Sequence, residues 1–521
     1  MLDPIILLAA LGFGLLFKSI GQPSLIGFLI AGFFVHALGF EQQGLIEHLA
    51  NAGEILLLFT IGLKLRFKTI SAPYVFGISL VHIAIIVPIF FLILNSVTQL
   101  IPSLPPITHK GLWILSFGLA FSSTIFAVKI FDEKGEANSL FAVIAIGILV
   151  VQDLGAVIYM GTQSDKAPTA YSLLLFLFIP LRPLLNRILS YCGHGELLIL
   201  AGFALAFGAT ALFEQVGLKD DLGALLAGAL IANSSKSKEL YTSLMDFKDL
   251  LLVGFFLSIG LHGLPSLPLA GVALILVAAL VIKPVLFFFL FVAMKLRART
   301  AFLSSLALSN YSEFGLIVIS LAVSQAHLDP DWLVMMAIAL SLSYLFASPF
   351  NKSAHFIFAR HQRFFQQFER SNRLAIEQPV YIGQTKVLIL GLGRVGTGVY
   401  DHLQRTCNTS IVAIEENSEK VRSRKLAGYN VILADGNDSQ FWQHLDLSYV
   451  ELIMVNLSNH QENRSVVKLV KKTSYEGTIA VMVRFPDQRK ELEALGCITF
   501  NLYDEAGHGF AEHVLENVSL K

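Results

Sequence analysis

Thirteen apolar runs, each close to the length of a membrane-crossing helix, follow one another through the first 350 of the chain's 521 residues. A bilayer core takes roughly 20 residues of helix. Water is absent there, so backbone groups must be satisfied within the segment, which leaves the helix as the only open form for each run. The runs fall at about 3–20, 23–39, 51–66, 73–100, 111–131, 137–161, 169–190, 196–215, 219–233, 246–262, 268–296, 300–324 and 330–349. The second, third, ninth and tenth are short, and Pro180, Pro183 and Pro284 lie inside or at the ends of others, where they predict kinks. The expected fold is a polytopic α-helical membrane protein of about 13 transmembrane helices, followed by a cytosolic α/β Rossmann-type domain. The start, Met1-Leu2-Asp3-Pro4, lacks the basic region and cleavage site of a signal peptide, so the first run is expected to remain as an anchor.

Charge orients the runs. Lysine and arginine are retained on the cytoplasmic side of short loops. One set of alternate loops holds Lys18, Lys64, Arg66, Lys68, Lys129, Lys134, Arg182, Arg187, Lys236, Lys238, Lys248, Lys295, Arg297 and Arg299; the other holds Lys110, Lys166 and Lys219. Fourteen against three puts the N-terminus outside and everything after the thirteenth run inside, with the basic stretch Lys352 to Arg373 as the exit. The whole chain balances 38 basic against 38 acidic residues, which argues against a nucleic-acid partner. Cys192, Cys407 and Cys497 have no metal-ligand or disulfide spacing.

Two motifs recur at nearly one offset. IGFLIAG (Ile26 to Gly32) returns 196 residues on as LGALLAG (Leu222 to Gly228). The IGL of EILLLFTIGLKL (Glu54 to Leu65) returns after 198 in DLLLVGFFLSIGLHG (Asp249 to Gly263). Seven runs separate the copies, an odd number, so the copies are inverted. Inverted repeats are the architecture of secondary transporters, whose ion sites sit in discontinuous helices near the bilayer midplane. The fifth and twelfth runs then correspond. Both carry small polar clusters, LAFSSTIFAVK with Ser123 and Thr124 and LALSNYSEFG with Glu313, of the kind that broken helices use.

Charged side chains deep in apolar runs cost several kcal/mol and mark function by default. Asp153, after Gln152 in GILVVQDLGAVIYMG, reads as a carboxylate that takes a proton or a monovalent cation but not both, or as a helix–helix hydrogen-bonding group. Lys283 reads as a counter-ion for Asp153, a second proton carrier, or half of a structural ion pair. Glu313 reads as a second ion-site carboxylate or as a brace for the broken helix. His36 and His82 read as satisfied packing residues, and the 41 phenylalanines as largely lipid-facing.

From about residue 351 the composition turns soluble. The strand Val387 to Leu390 runs into Gly391-x-Gly393-x-x-Gly396 and a helix, the context in which such a loop cradles phosphate. IVAIEEN places Glu415 nineteen residues past Gly396, where an acidic side chain reaches ribose hydroxyls. NVILADGND, ELIMVNLSN, AVMVRF and CITFNL supply four further strands. With no second domain to present a substrate to a nicotinamide, a ligand-sensing role is expected and not an enzyme.

Together the GFLIAG and ALLAGALIA runs, LLLFTIGLKL, the Ser-Ser-Thr cluster, the Gln152-Asp153 pair, the Ser-Glu-Phe of the twelfth run and GLGRVG resemble the monovalent cation:proton antiporter-2 family. Within it they are most similar to the Kef-type potassium:proton antiporters with a C-terminal RCK (TrkA-N) domain. The resemblance implies broken, crossing fifth and twelfth helices, with Asp153 as ion carboxylate, Gln152 as its paired neighbour, and Thr124 and Lys283 in support. It also implies a homodimer of the bacterial inner membrane moving potassium and protons, regulated by AMP or NAD(H) at Gly391, Gly393, Arg394, Gly396, Glu415 and Asp435. Glutathione-gated members carry an acidic loop before the tenth run. Here ELYTSLMDFKDL keeps mainly its Asp-Phe-Lys part, so neither glutathione gating nor an accessory quinone reductase is expected. Sodium in place of potassium stays open. A nucleotide-gated channel would need a filter such as TVGYG, which does not occur. The expected parts are a transport domain over 1–350, a linker over 351–384 and the regulatory domain over 385–521.

Overall fold

In the computed structural model the described residues run from 4 to 518, excluding 21, 41–43, 65–71, 135, 137–138, 163–177, 217–219, 233, 235, 262, 265, 371, 375–376, 378–379, 408, 439–440, 443–444 and 458. The start of the seventh apolar run, with Lys166, and the loop residues Arg66, Lys68 and Lys219 therefore lie outside them. The chain forms two compact units, Met1–Val128 with Ile144–Arg370, and Lys129–Val143 with Ser371–Lys521.

The described residues up to Lys352 form helices α1 Pro4–Ser19, α2 Ser24–Ala37, α3 Gly44–Lys64, α4 Pro73–Leu100, α5 His109–Ala120, α6 Thr124–Lys134, α7 Leu140–Thr162, α8 Phe178–Tyr191, α9 Glu196–Gln215, α10 Asp220–Ile231, α11 Ser237–Leu261, α12 Leu267–Ala279, α13 Ile282–Ala293, α14 Ala298–Ala307, α15 Glu313–Ser324 and α16 Pro330–Lys352, of which the end of α6 and the start of α7 belong to the second unit. Every apolar run has its helix or pair of helices. Among the described residues, seven stretches are long and apolar enough to cross a membrane. Two of the runs that read as short are longer than expected. α3 starts at Gly44 and α11 at Ser237, because their first turns carry Glu47 and Glu239, which an apolar ruler skips. For the same reason Lys248 and Arg299, counted above with the loops, are buried within α11 and α14.

Glycines set the helix contacts, and they reproduce the repeat. A Cβ on Gly228 would lie 2.2 Å from Phe59 O, and one on Gly62 would lie 2.2 Å from Leu225 O, so α3 and α10 touch backbone to backbone. The symmetry mate of that contact exists as well. Gly32 of α2 and Gly260 of α11 meet, where a Cβ on the first would lie 2.7 Å from Leu257 O and one on the second 2.6 Å from Leu29 O. Each LIAG-type glycine of one copy thus packs on the IGL glycine of the other, and small residues are what lets membrane helices approach this closely.

Phenylalanines do not simply face lipid. Phe59, Phe90, Phe121, Phe256, Phe287, Phe291 and Phe314 are among the largest fully buried side chains, filling space between helices. His82 is also buried, stacked 3.7 Å from the Phe287 ring. Neither ring nitrogen has a hydrogen-bond partner among the described residues, so the histidine expected to be satisfied is held by ring stacking instead.

After two short helices, α17 Ala354–Arg360 and α18 Gln362–Gln366, the second unit supplies six parallel strands in the order β3-β2-β1-β4-β5-β6. They are β1 Val387–Leu390, β2 Ile411–Glu415, β3 Val431–Leu433, β4 Leu452–Val455, β5 Thr478–Val483 and β6 Ile498–Asn501. Helices α19 Arg394–Thr406, α20 Ser418–Leu426, α21 His460–Val470, α22 Pro486–Ala494 and α23 Leu502–Asn517 alternate with them. β1 pairs with both β2 and β4, so the strand order reverses beside β1, where doubly wound sheets bind ligands. Its four residues are buried on both faces, as a central parallel strand requires.

Candidate functional site

Both polar clusters fall where helices break. The fifth run stops at Ala120 and resumes at Thr124; the twelfth stops at Ala307 and resumes at Glu313. α5 and α15 cross in close contact, since a Cβ on Gly315 would be 2.3 Å from Gly118 O. Breaking a helix frees backbone donors and acceptors that cannot be left bare in a membrane interior, and the clusters satisfy them. Ser122 N donates to Gln152 Oε1 (3.0 Å) and Ser123 N to Asn310 Oδ1 (2.6 Å). Ser122 Oγ donates to Leu308 O (2.7 Å), and Tyr311 N donates to Ser343 Oγ (3.1 Å).

Asp153, fully buried on α7, accepts a hydrogen bond from Thr124 Oγ1 at 2.8 Å, at the first residue of α6. Gln152 next to it holds the break itself. The paired residues therefore have different tasks, one carboxylate at the half-helix start and one amide clamped to the backbone.

Lys283 departs from the expected ion pair. It is fully buried, and Nζ donates to Phe121 O (2.7 Å), Asn310 O (2.7 Å) and Leu119 O (3.4 Å), not to Asp153. The cause is electrostatic: the carbonyls freed at the two breaks carry the negative ends of their half-helices, and one ammonium answers both. Glu313 lies at the first residue of α15, also fully buried. Tyr344 OH lies 2.8 Å from Ser123 Oγ and 3.3 Å from Glu313 Oε2, within donating distance of both. Glu313 Oε1 has no hydrogen-bond partner among the described residues. Ser122 and Asn310 fall within the two polar clusters of the sequence, whereas Tyr344 carries no signal of its own there. Tyr344 is 221 residues from its partner Ser123, and such contacts leave no local pattern.

In the second unit Gly391 adopts φ +86, which side chains rarely tolerate. A Cβ on Gly396 would meet Gly391 O at 1.9 Å, whereas one on Gly393 would meet nothing within 4 Å. The first and third glycines thus shape the turn and the second leaves it open to a ligand. Arg394 is the first residue of α19. Glu415 is turned inward: Oε2 accepts from Leu392 N (3.0 Å) and Oε1 from Asn417 N (3.1 Å). It braces the glycine turn as well as ending β2. Asp435 follows β3 and accepts from Asn437 N at 2.8 Å. Two acidic residues not expected from sequence join this edge. Burial, with Asp435, Glu462 and Glu415 nearby, raises Glu416 to about 8, and burial with Asp435 raises Glu462 to about 7.

A testable consequence follows from Glu416. Its folded value lies above the ordinary 4.5, so the folded chain keeps a proton that the unfolded chain has released. The contribution of Glu416 to stability is therefore greatest at low pH and is lost as pH rises from 4.5 to about 8. With water reaching this half-buried carboxyl, the effect is on the order of 2 kcal/mol. Melting followed at pH 5.5 and 8.5 should show a smaller difference in Glu416→Gln than in the wild type.

The sequence profile described as sodium/hydrogen exchanger, transmembrane, matches residues 5–352. The chain belongs to the sodium/hydrogen exchanger family. A second profile, the TrkA-N domain, matches residues 387–500. As a member of that family the chain is a secondary active cation:proton antiporter carrying a TrkA-N domain, an integral membrane protein and not an enzyme. Glutathione-regulated potassium-efflux system protein KefC of Cronobacter sakazakii is 26% identical over 511 residues, covering 92% of this chain and 78% of that one. The KefC of an Enterobacter species is 25% identical, covering 87% and 74%. The Kef-type branch expected from the motifs is thus the one these exchanger-family relatives carry in their names. Among solved structures, the sodium proton antiporter MjNhaP1 of Methanocaldococcus jannaschii covers 68% of this chain and 96% of its own, at 13% identity and a TM-score of 0.48. The TrkA-N domain of the inner membrane protein ybaL of Escherichia coli covers 25% and 95%, at 17% identity and a TM-score of 0.22.

Proposed function

We propose that this antiporter moves potassium out of the cytoplasm in exchange for protons, with Asp153 as the group for which the two ions compete. The observation that carries this reading is a fully buried carboxylate hydrogen-bonded to the first residue of a half-helix. Thr124 Oγ1 and backbone groups at the break complete the cation's shell, while Gln152, Ser123, Lys283 and Glu313 hold the crossing in register. A proton on Asp153 removes the charge the cation needs, so competition for one site gives obligatory exchange. The charge asymmetry of the loops supports a periplasmic N-terminus and a cytoplasmic TrkA-N domain in a bacterial inner membrane, and the family resemblance supports a homodimer.

The TrkA-N domain takes an adenine nucleotide, AMP or NAD(H), over the open Gly393 with Gly391, Gly396 and Arg394 beside the phosphates and Glu415 and Asp435 toward the ribose. Binding biases transport only as far as affinity differs between two states of the membrane domain. Nucleotide binding to the full-length protein in detergent is expected to vanish in Gly396→Val, whose side chain has no room beside Gly391 O. Retained binding in that variant would place the nucleotide elsewhere.

Cation choice is read in everted vesicles with an acid interior and a fluorescent pH dye. Potassium is expected to dequench the dye at lower concentration than sodium. The reverse order would favour a sodium:proton antiporter, the activity in the family's own description.

A further inference from the structure

α17 and α18 have two faces. One is sealed against the membrane helices. Phe358 and Phe365 pack on Phe302 of α14 at 5.9 and 4.5 Å, Phe365 on Phe288 of α13 at 5.6 Å, and Phe368 on Phe289 at 5.3 Å. Glu369 Oε2 accepts from Ala298 N at 3.1 Å, fixing the end of the segment to the start of α14.

The other face is open, and its chemistry is mixed. Phe356 and Phe364 are 68% and 56% exposed; the Phe364 ring lies 5.4 Å from Phe368, whose ring meets Phe289 of α13, and Val285 and Phe289 are themselves half exposed. Such apolar exposure on a membrane helix is covered by lipid chains. Beside Phe364, the turn joining α17 to α18 borders an open surface cleft of about 640 Å³ lined by Arg360, His361, Gln362, Arg363 and Phe364. Arg360, Arg363 and Arg370 are exposed and make no ion pair among the described residues. Free guanidinium groups with aromatic rings, at the end of a membrane helix, match the headgroup level of a bilayer, where phosphate meets acyl chain.

We propose that this cleft is a binding site for an anionic phospholipid, with Arg360 and Arg363 on the headgroup phosphate and Phe356 and Phe364 among the upper acyl carbons. The site rests on the orientation proposed above, which puts it in the cytoplasmic leaflet, and it would tie the start of the linker to the membrane surface.

The test uses full-length protein in neutral detergent and measures binding of phosphatidylglycerol, with phosphatidylcholine as reference. Arg360→Gln with Arg363→Gln is expected to weaken phosphatidylglycerol binding by about fivefold per arginine and to leave phosphatidylcholine unchanged. Arg405→Gln, on α19 of the soluble unit, is expected to change nothing. Equal preference in the double variant and the wild type would overturn the proposal, as would displacement of the lipid by millimolar inorganic phosphate, which would mark a free-anion site. If the double variant is not monodisperse, Phe356→Ser with Phe364→Ser, which leaves both arginines, must lower phosphatidylglycerol affinity or the lipid site falls. Protease access to the TrkA-N domain in everted vesicles reads the orientation separately, so a wrong orientation and a wrong site give different results.

Discussion

Asp153→Asn is expected to reduce cation-dependent proton exchange to the level of vesicles without the protein, a loss of at least ~100-fold. Asparagine keeps the size of the side chain and can still accept the hydrogen bond that Thr124 Oγ1 makes at 2.8 Å. It carries neither the charge for the cation nor the proton to exchange. The fold should survive, because removing a buried charge relieves desolvation. Detergent-solubilised Asp153→Asn should therefore elute and melt like the wild type while being inactive. Residual exchange would move the site to Glu313, the fully buried carboxylate at the first residue of α15.

Gly228→Val is expected to have the opposite signature, loss of the folded membrane unit itself. The new Cβ would begin 2.2 Å from Phe59 O, an atom of the α3 backbone that no rotamer change can move. Separating α3 from α10 also unpacks Gly62, whose own Cβ position is 2.2 Å from Leu225 O. Overpacking of this kind costs about 1–3 kcal/mol even where side chains can yield, and here the obstacle is main chain. Gly260→Val, its repeat counterpart against Leu29 O, should behave alike. Gly271→Val on α12, with nothing within 4 Å of its Cβ, should be tolerated. Fluorescence-detected size-exclusion profiles and melting of the four proteins separate these outcomes. A tolerated Gly228→Val would remove the close glycine contact as the basis of the repeat's packing.

Much of this is legible in the sequence, for reasons that are local. Apolar runs report helices because a bilayer offers nothing else. The Ser-Ser-Thr and Ser-Asn-Tyr-Ser clusters report breaks because freed backbone groups need short polar partners nearby. The glycine turn of the TrkA-N domain is readable because each glycine answers a constraint within six residues. The rest depends on distant residues. Lys283 reads as a counter-ion, a second proton carrier or half of an ion pair because sequence shows charges and not freed carbonyls, yet it bonds to carbonyls of both broken runs, 162 residues away at Phe121 and 27 at Asn310. Tyr344 is invisible in the sequence for the same reason. Glu416 is hidden by its neighbour Glu415, which spacing favours as the ribose group and which also holds the loop through Leu392 N and Asn417 N.

Rubidium uptake into proteoliposomes, measured as KM against external pH, tests the competition at Asp153 most directly. One shared site predicts that KM rises about tenfold for each unit by which pH falls once protons dominate Asp153, while the maximal rate at saturating rubidium stays constant. A KM that ignores pH while the maximal rate changes would contradict a shared site, because cation and proton would then occupy separate groups.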